Sequence, residues 1–179
     1  MLVFLRRFCK YRVALNDTKV IFLDFDGVIR LSQNGFGSVG YQFDYSKIRM
    51  VRELAEEFGA SVVVTSTWRE MYDLPRIITE MRGGLETHHF HSSWMTPILS
   101  ATSRCRERAV PRGVEVLTWL YSHPEVTQFV IFDDLPERGF QSILDHFINC
   151  DHVEGLTKGN IAQAREILAR AHPAFCPIV

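Results

Sequence analysis

The chain has 179 residues, is 46% hydrophobic and carries a formal net charge of −1. That length and composition fit one globular domain with a full core, and the near-neutral charge excludes bulk electrostatic attraction to nucleic acid or to an anionic membrane as an argument for function. Four scattered cysteines, Cys9, Cys105, Cys150 and Cys176, lack C-x-x-C spacing, so neither a disulfide framework nor a structural zinc site is indicated.

Residues 1–18 form a mixed basic and apolar lead-in outside any motif. Their apolar start precedes Arg6 and Arg7, the reverse of a secretory signal, and no run is long enough to span a bilayer. The expected setting is cytoplasmic, with no membrane association and no indicated protein partner. The main domain is expected over residues 19–172, with 173–179 as a tail.

Residues 20–23 are a short continuous apolar run that ends abruptly at Asp24 and Asp26, as a strand buried on both faces of a parallel sheet would. Gly35, Gly37 and Gly40 make residues 30–42 a loop or small hairpin flap. Ile48, Val51, Leu54, Ala55 and Phe58 recur at helical spacing, and Gly59 supplies the stop. Residues 61–64 form a second buried strand ending in Thr65, Ser66 and Thr67. Pro75 opens a helix that Gly83 and Gly84 end. Residues 85–110 are the least regular stretch.

Arg112 then leads a helix with Val116, Leu117 and Leu120 as its inner face. Residues 129–132 form a third buried strand, ending in Asp133 and Asp134. A short strand over 147–150 and a helix from Thr157 to about Ala171, capped by Thr157, complete the pattern. Strand and helix alternate throughout, which predicts an α/β fold with a mainly parallel sheet. In such sheets the working crevice lies outside the carboxyl ends of the strands, and three strands here end in reactive side chains.

Those residues suit phosphoryl transfer. A carboxylate attacking a phosphate monoester needs a divalent cation to offset repulsion, and Mg²⁺ takes hard oxygen ligands. Asp24 is the candidate nucleophile, giving an aspartyl-phosphate, and Asp26 the acid/base at the leaving oxygen. Gly27, directly after Asp26, permits the tight turn and the close backbone approach to phosphate that this geometry needs. Asp134 is the candidate metal ligand from the third strand, with Asp133 supporting it or exchanging roles with it. Thr65 and Ser66 can hold phosphate oxygens. Arg112 is the expected cation at the transferring group, with Arg104, Arg106 and Arg108 as rivals. For Arg69 a phosphate contact and a structural ion pair are both open, and Trp68 is expected to pack. His88, His89 and His91 lack partners for a tetrahedral zinc set and read as loop histidines.

Taken together, Asp24, Asp26, Gly27, Thr65, Arg112 and Asp134 in their strand-end contexts resemble the haloacid dehalogenase superfamily of aspartate-nucleophile phosphatases. Residues 65–69, Thr96 and Pro97, the run from Arg112 to Trp119 and Leu120, and residues 155–157 are similar to the subgroup found in bacterial RNA-repair proteins. The resemblance covers roughly residues 19–170. It implies a Rossmann-like three-layer sandwich, Mg²⁺ as cofactor with the Asp26 backbone carbonyl as a further ligand, and phosphoester hydrolysis. The stretches between Asp26 and Thr65 and between Arg69 and Arg112 are too short for a large cap domain, so the open substrates run from nucleotides to bulky ones such as a phosphorylated nucleic-acid end or a phosphoprotein. Arg112 stands where the family often has Lys, and Glu137 is the nearest candidate for a further acid. A weakly catalytic binding or regulatory module and a phosphotransferase using the same Asp24 are the alternatives.

Overall fold

A computed structural model describes residues 18–32, 41–99 and 110–170. Five strands form the main sheet: β1 (Thr18–Leu23), β4 (Ala60–Val64), β5 (Phe90–Met95), β6 (Val126–Asp133) and β7 (Phe147–Asn149). They lie in the order β5-β4-β1-β6-β7 and every pairing is parallel. A separate antiparallel pair, β2 (Arg30–Ser32) and β3 (Tyr41–Phe43), forms the expected hairpin. Its three glycines lie outside the described residues, as do Arg104, Arg106 and Arg108.

Alternation along β1 divides the core. Ile21 and Leu23 face one layer with Val62, Val64, Val130 and Phe132, against α1 (Tyr45–Phe58), α2 (Leu74–Glu80) and α4 (Lys158–Ala169). Val20 and Phe22 face the other with Val63, Phe129 and Ile131, against α3 (Arg112–Tyr121) and the turn at Gln141–His146. Two apolar layers on opposite faces make the three-layer sandwich, and burying each large side chain contributes ~1.5–3 kcal/mol. On α3 the inner face is Val116, Trp119 and Leu120, with Leu117 only half-buried. Phe22 meets Trp119 edge to face, with centroids 5.3 Å apart.

Both ends of α1 and the start of α4 follow their sequence signals, whereas α2 stops at Glu80, ahead of the expected Gly83 and Gly84. The Asp44 carboxylate accepts from the Ser46 N–H at 2.9 Å to open α1, and Gly59 closes it at φ 60. Thr157 caps α4 reciprocally with Asn160. The stretch from residue 85 also departs from expectation: residues 90–95 are not irregular but form the edge strand β5. Only Phe90 of that strand is buried, and its register with β4 is broken between Val62 and Val64, so it lacks the apolar run that marks a central strand.

The chain steps from β1 to β4 and β5 on one side, then to β6 and β7 on the other. Order therefore reverses between β1 and β6, and a crevice opens at their carboxyl ends. No helix among the described residues is long and apolar enough to cross a membrane.

Candidate active site

Asp24 follows β1 directly; Asp133 ends β6, its neighbour in the sheet, and Asp134 follows it. One carboxylate oxygen from each of the three lies within 4.8 Å of the others. Asp24 is 5% exposed and Asp133 fully buried. Among the described residues this is the one acidic or histidine cluster tight enough for a metal ion; His88, His89 and His91 form no such set. His89 instead is buried, with Nε2 3.3 Å from Glu56, and His91 packs on Trp119 and His123.

Arg112, the first residue of α3, reaches into this cluster. Its NH1 lies 3.0 Å from Asp24 Oδ1 and donates to Asp133 Oδ2 at 2.9 Å. Burial works against the guanidinium charge, but Asp24 and Asp133 outweigh it and hold Arg112 above its usual range. Burial, with the Asp134 charge adding to it, raises Asp24; Arg112, the Phe25 N–H and the Ser66 side chain oppose. Burial and the Asp24 charge push Asp133 up to about 7 against Arg112. The nearby Cys150 thiol registers the same negative field: burial first, then the three aspartates, push it up to about 12.

Asp133 has both oxygens engaged, since Oδ1 accepts from the Leu135 N–H at 2.9 Å while Oδ2 holds Arg112. Asp134 is more open, and its Oδ2 lies 2.6 Å from His152 Nδ1. His152 was not legible as a site residue, although it follows β7 and so obeys the same strand-end rule as the aspartates. Its loop is held by Asp151, whose carboxylate accepts from the Val153 and Glu154 N–H groups at 2.8 Å each. Leu156 N–H donates to Val28 O at 2.8 Å, tying that loop to the one carrying Asp26 and Gly27.

Gly27 is required twice over. It adopts φ +78, and a Cβ there would overlap Asp134 Oδ2 and come within 2.9 Å of His152 Nδ1. Gly27→Ala is expected to displace Asp134, lower turnover by about 100-fold and cost about 1–3 kcal/mol of stability. Steady-state kinetics and a thermal melt check both, and an unchanged kcat would remove Asp134 from the working site.

Asp26 lies beyond the strand end, held from two sides. Its Oδ1 pairs with Arg30, and its Oδ2 accepts from Trp68 Nε1 at 3.2 Å. Neither partner could be assigned from sequence, because both contacts arise from the hairpin and the Thr67–Glu70 turn folding over the same loop. Thr65 and Ser66 follow β4 and are buried, and Thr65 Oγ1 has no hydrogen-bond partner. A buried orphan hydroxyl at the carboxyl end of β4, the strand next to β1, suits an incoming phosphate oxygen.

Of the two readings open for Arg69, the structure bears out the ion pair and corrects its placing among the phosphate-binding residues: its guanidinium is turned into the protein, 6% exposed overall. It donates to the carbonyls of Thr65, Ser66 and Thr96 and to Glu115 Oε2, the last at 2.5 Å. A cation spent in this way is a strut rather than a phosphate ligand.

The reversed sheet order and the carboxylates at its carboxyl edge define an α/β domain of the haloacid dehalogenase type. Residues 20–161 match the family described as the HAD domain in Swiss Army Knife RNA repair proteins, and the chain belongs to that family. None of the curated proteins matches the chain. The family and the three-aspartate cluster agree in pointing to phosphatase-type chemistry.

Proposed function

We propose that this protein is a Mg²⁺-dependent phosphoester hydrolase acting through an aspartyl-phosphate on Asp24, with nucleotides or phosphorylated polynucleotide ends as substrates. The observation that carries the reading is the convergence of Asp24, Asp133, Asp134 and Arg112 at the carboxyl ends of β1 and β6. Three carboxylates against one guanidinium leave uncompensated negative charge, and the donors are all hard oxygens. That set fits Mg²⁺. Asp24 and Asp134 would hold it with the Asp26 backbone carbonyl, while Asp133, engaged by Arg112 and Leu135, would support from behind. When bound, the cation offsets the charge of the phosphate and of the attacking carboxylate.

The protein groups have separate tasks. Thr65, Ser66 and Arg112 bind and orient the phosphate oxygens. One oxygen of Asp24 attacks phosphorus as the bond to the leaving oxygen breaks, and Asp26 delivers a proton to that oxygen. Asp26 then takes a proton from water as it attacks phosphorus, and the Asp24–phosphate bond breaks. Inorganic phosphate leaves and Asp24 is restored.

A panel of phosphomonoesters assayed with Mg²⁺ and with chelator tests the reading: turnover is expected only with the metal. Absence of turnover across the panel would favour a binding module, and phosphate appearing on an added alcohol would favour transfer over hydrolysis.

Metal binding should also register in stability. At a hundredfold excess over Kd the expected gain is about 2.7 kcal/mol, or about 5–10 °C for a chain of this size. Its pH dependence has a defined sign. Asp133 is raised from 3.8 to about 7, so without metal the folded state binds its proton more tightly than the unfolded state. The stability from that group is full below the unfolded value and is lost as pH rises through about 7. A cation on the cluster offsets the same repulsion, so the Mg²⁺-induced rise in Tm should be larger at pH 8 than at pH 5. A Tm unmoved by Mg²⁺ at both pH values would argue against the metal site.

A further inference from the structure

Beside Asp26 lies an open pocket of about 280 Å³, lined by Arg30, Tyr41, Phe43, Tyr45, Trp68 and Arg82 among others. Its volume is near the lower end of the ~300–1,000 Å³ usual for small-ligand sites. Two of its walls, Arg30 and Trp68, are the groups that grip the Asp26 carboxylate. Whatever leaving group Asp26 serves therefore has its carbon skeleton next to this pocket.

The lining is unusual in being made of planar groups. The Arg30 guanidinium lies 4.9 Å from the Trp68 ring, 5.2 Å from Tyr41 and 6.0 Å from Phe43. Phe43 and Trp68 meet edge to face at 5.3 Å. Trp68, Tyr41 and Phe43 are all half-buried, and Tyr45 is 41% exposed. Aromatic and guanidinium faces of this kind stack on nucleobases. Its charges are also biased. Glu80 is paired with Arg76 at 2.6 Å and Arg30 with Asp26, whereas Arg82 has no carboxylate within ion-pair distance among the described residues. Arg82 is exposed, touches the Tyr45 ring face at 5.5 Å and adopts φ 48, a left-handed conformation that costs a non-glycine residue stability.

We propose that this pocket is the leaving-group subsite, taking the base of the terminal nucleoside whose phosphate is removed, with Arg82 meeting the next phosphate of the strand. The proposal rests on the hydrolase reading for the role of Asp26, but the pocket can be tested by binding alone. Asp24→Asn full-length protein with Mg²⁺ is titrated calorimetrically with adenosine 3′-monophosphate, a dinucleotide 3′-phosphate, glycerol phosphate and phosphotyrosine. The mononucleotide is expected to bind about tenfold tighter than glycerol phosphate, and the dinucleotide tighter again with added salt dependence. Tyr41→Ala should erase the first gain and Arg82→Ala the second; because Arg82 is on the surface, its variant tests the subsite even if Tyr41→Ala folds poorly. Equal affinity for nucleotide and glycerol phosphate, gains untouched by both substitutions, or tighter binding of phosphotyrosine would overturn the subsite. Failure of the wild-type protein to turn over any of the four would count against hydrolysis, while the binding series still decides the pocket.

Discussion

Asp24→Asn is expected to reduce phosphoester turnover by a factor on the order of 10⁴ or more, without lowering Tm. The size of the loss follows from removing the attacking group itself, since an amide oxygen cannot take up phosphate as a carboxylate does. The stability expectation follows from burial. Asp24 is 5% exposed, and burial together with the Asp134 charge raises its pKa, so the ionised form is held at a cost in the metal-free fold. The neutral amide removes that cost, and Arg112 keeps Asp133 as a partner at 2.9 Å. In metal-free buffer at pH 8 the variant should therefore melt at or above the wild-type temperature. Acid-quenched wild-type protein given substrate should carry phosphate on the peptide containing Asp24, and the variant none. Turnover retained by a folded Asp24→Asn protein would place the nucleophile elsewhere.

The reason so much of this site was readable before the fold is the parallel sheet. β1, β4 and β6 are buried on both faces, so each is a near-continuous apolar run, and the change to polar residues at its end is abrupt. The sandwich architecture and the grouping of Asp24, Thr65, Asp133 and Asp134 follow from those three edges. Edge strand β5 escaped because His91, Ser92 and Ser93 break the apolar pattern. His152 escaped because β7 is three residues long and gives a weak strand signal. Arg30 and Trp68 on Asp26 depend on a hairpin and a turn meeting over one loop, which no local pattern encodes. Arg69 shows the converse hazard. Its place three residues after Ser66 resembles that of a phosphate ligand, yet the turn at Thr67–Glu70 swings it inward to an acid on α3.

Arg69→Met should consequently act on stability first. Removing one partner of a buried pair leaves the other charge stranded, and the Arg69 and Glu115 side chains are 2% and 4% exposed. The carbonyls of Thr65 and Thr96 would lose the guanidinium donor as well, while Ser66 O keeps the residue-69 N–H at 3.1 Å. The expected cost is about 3–5 kcal/mol, or a fall in Tm of about 6–20 °C. Lys at position 69 should rescue little, because one ammonium cannot reproduce the planar fork that spans carbonyls and carboxylate. The double variant Arg69→Met with Glu115→Leu should recover part of the loss, since the stranded charge is then gone. Recovery should be incomplete, because Glu115 Oε1 also accepts from the Leu99 N–H at 3.1 Å. Function should suffer through position rather than contact. Glu115 lies one helical turn from Arg112, so loosening α3 moves the cation that Asp24 and Asp133 share. The signature is a lowered Tm with a fall in kcat and little change in KM. A raised KM at unchanged Tm would instead return Arg69 to the phosphate.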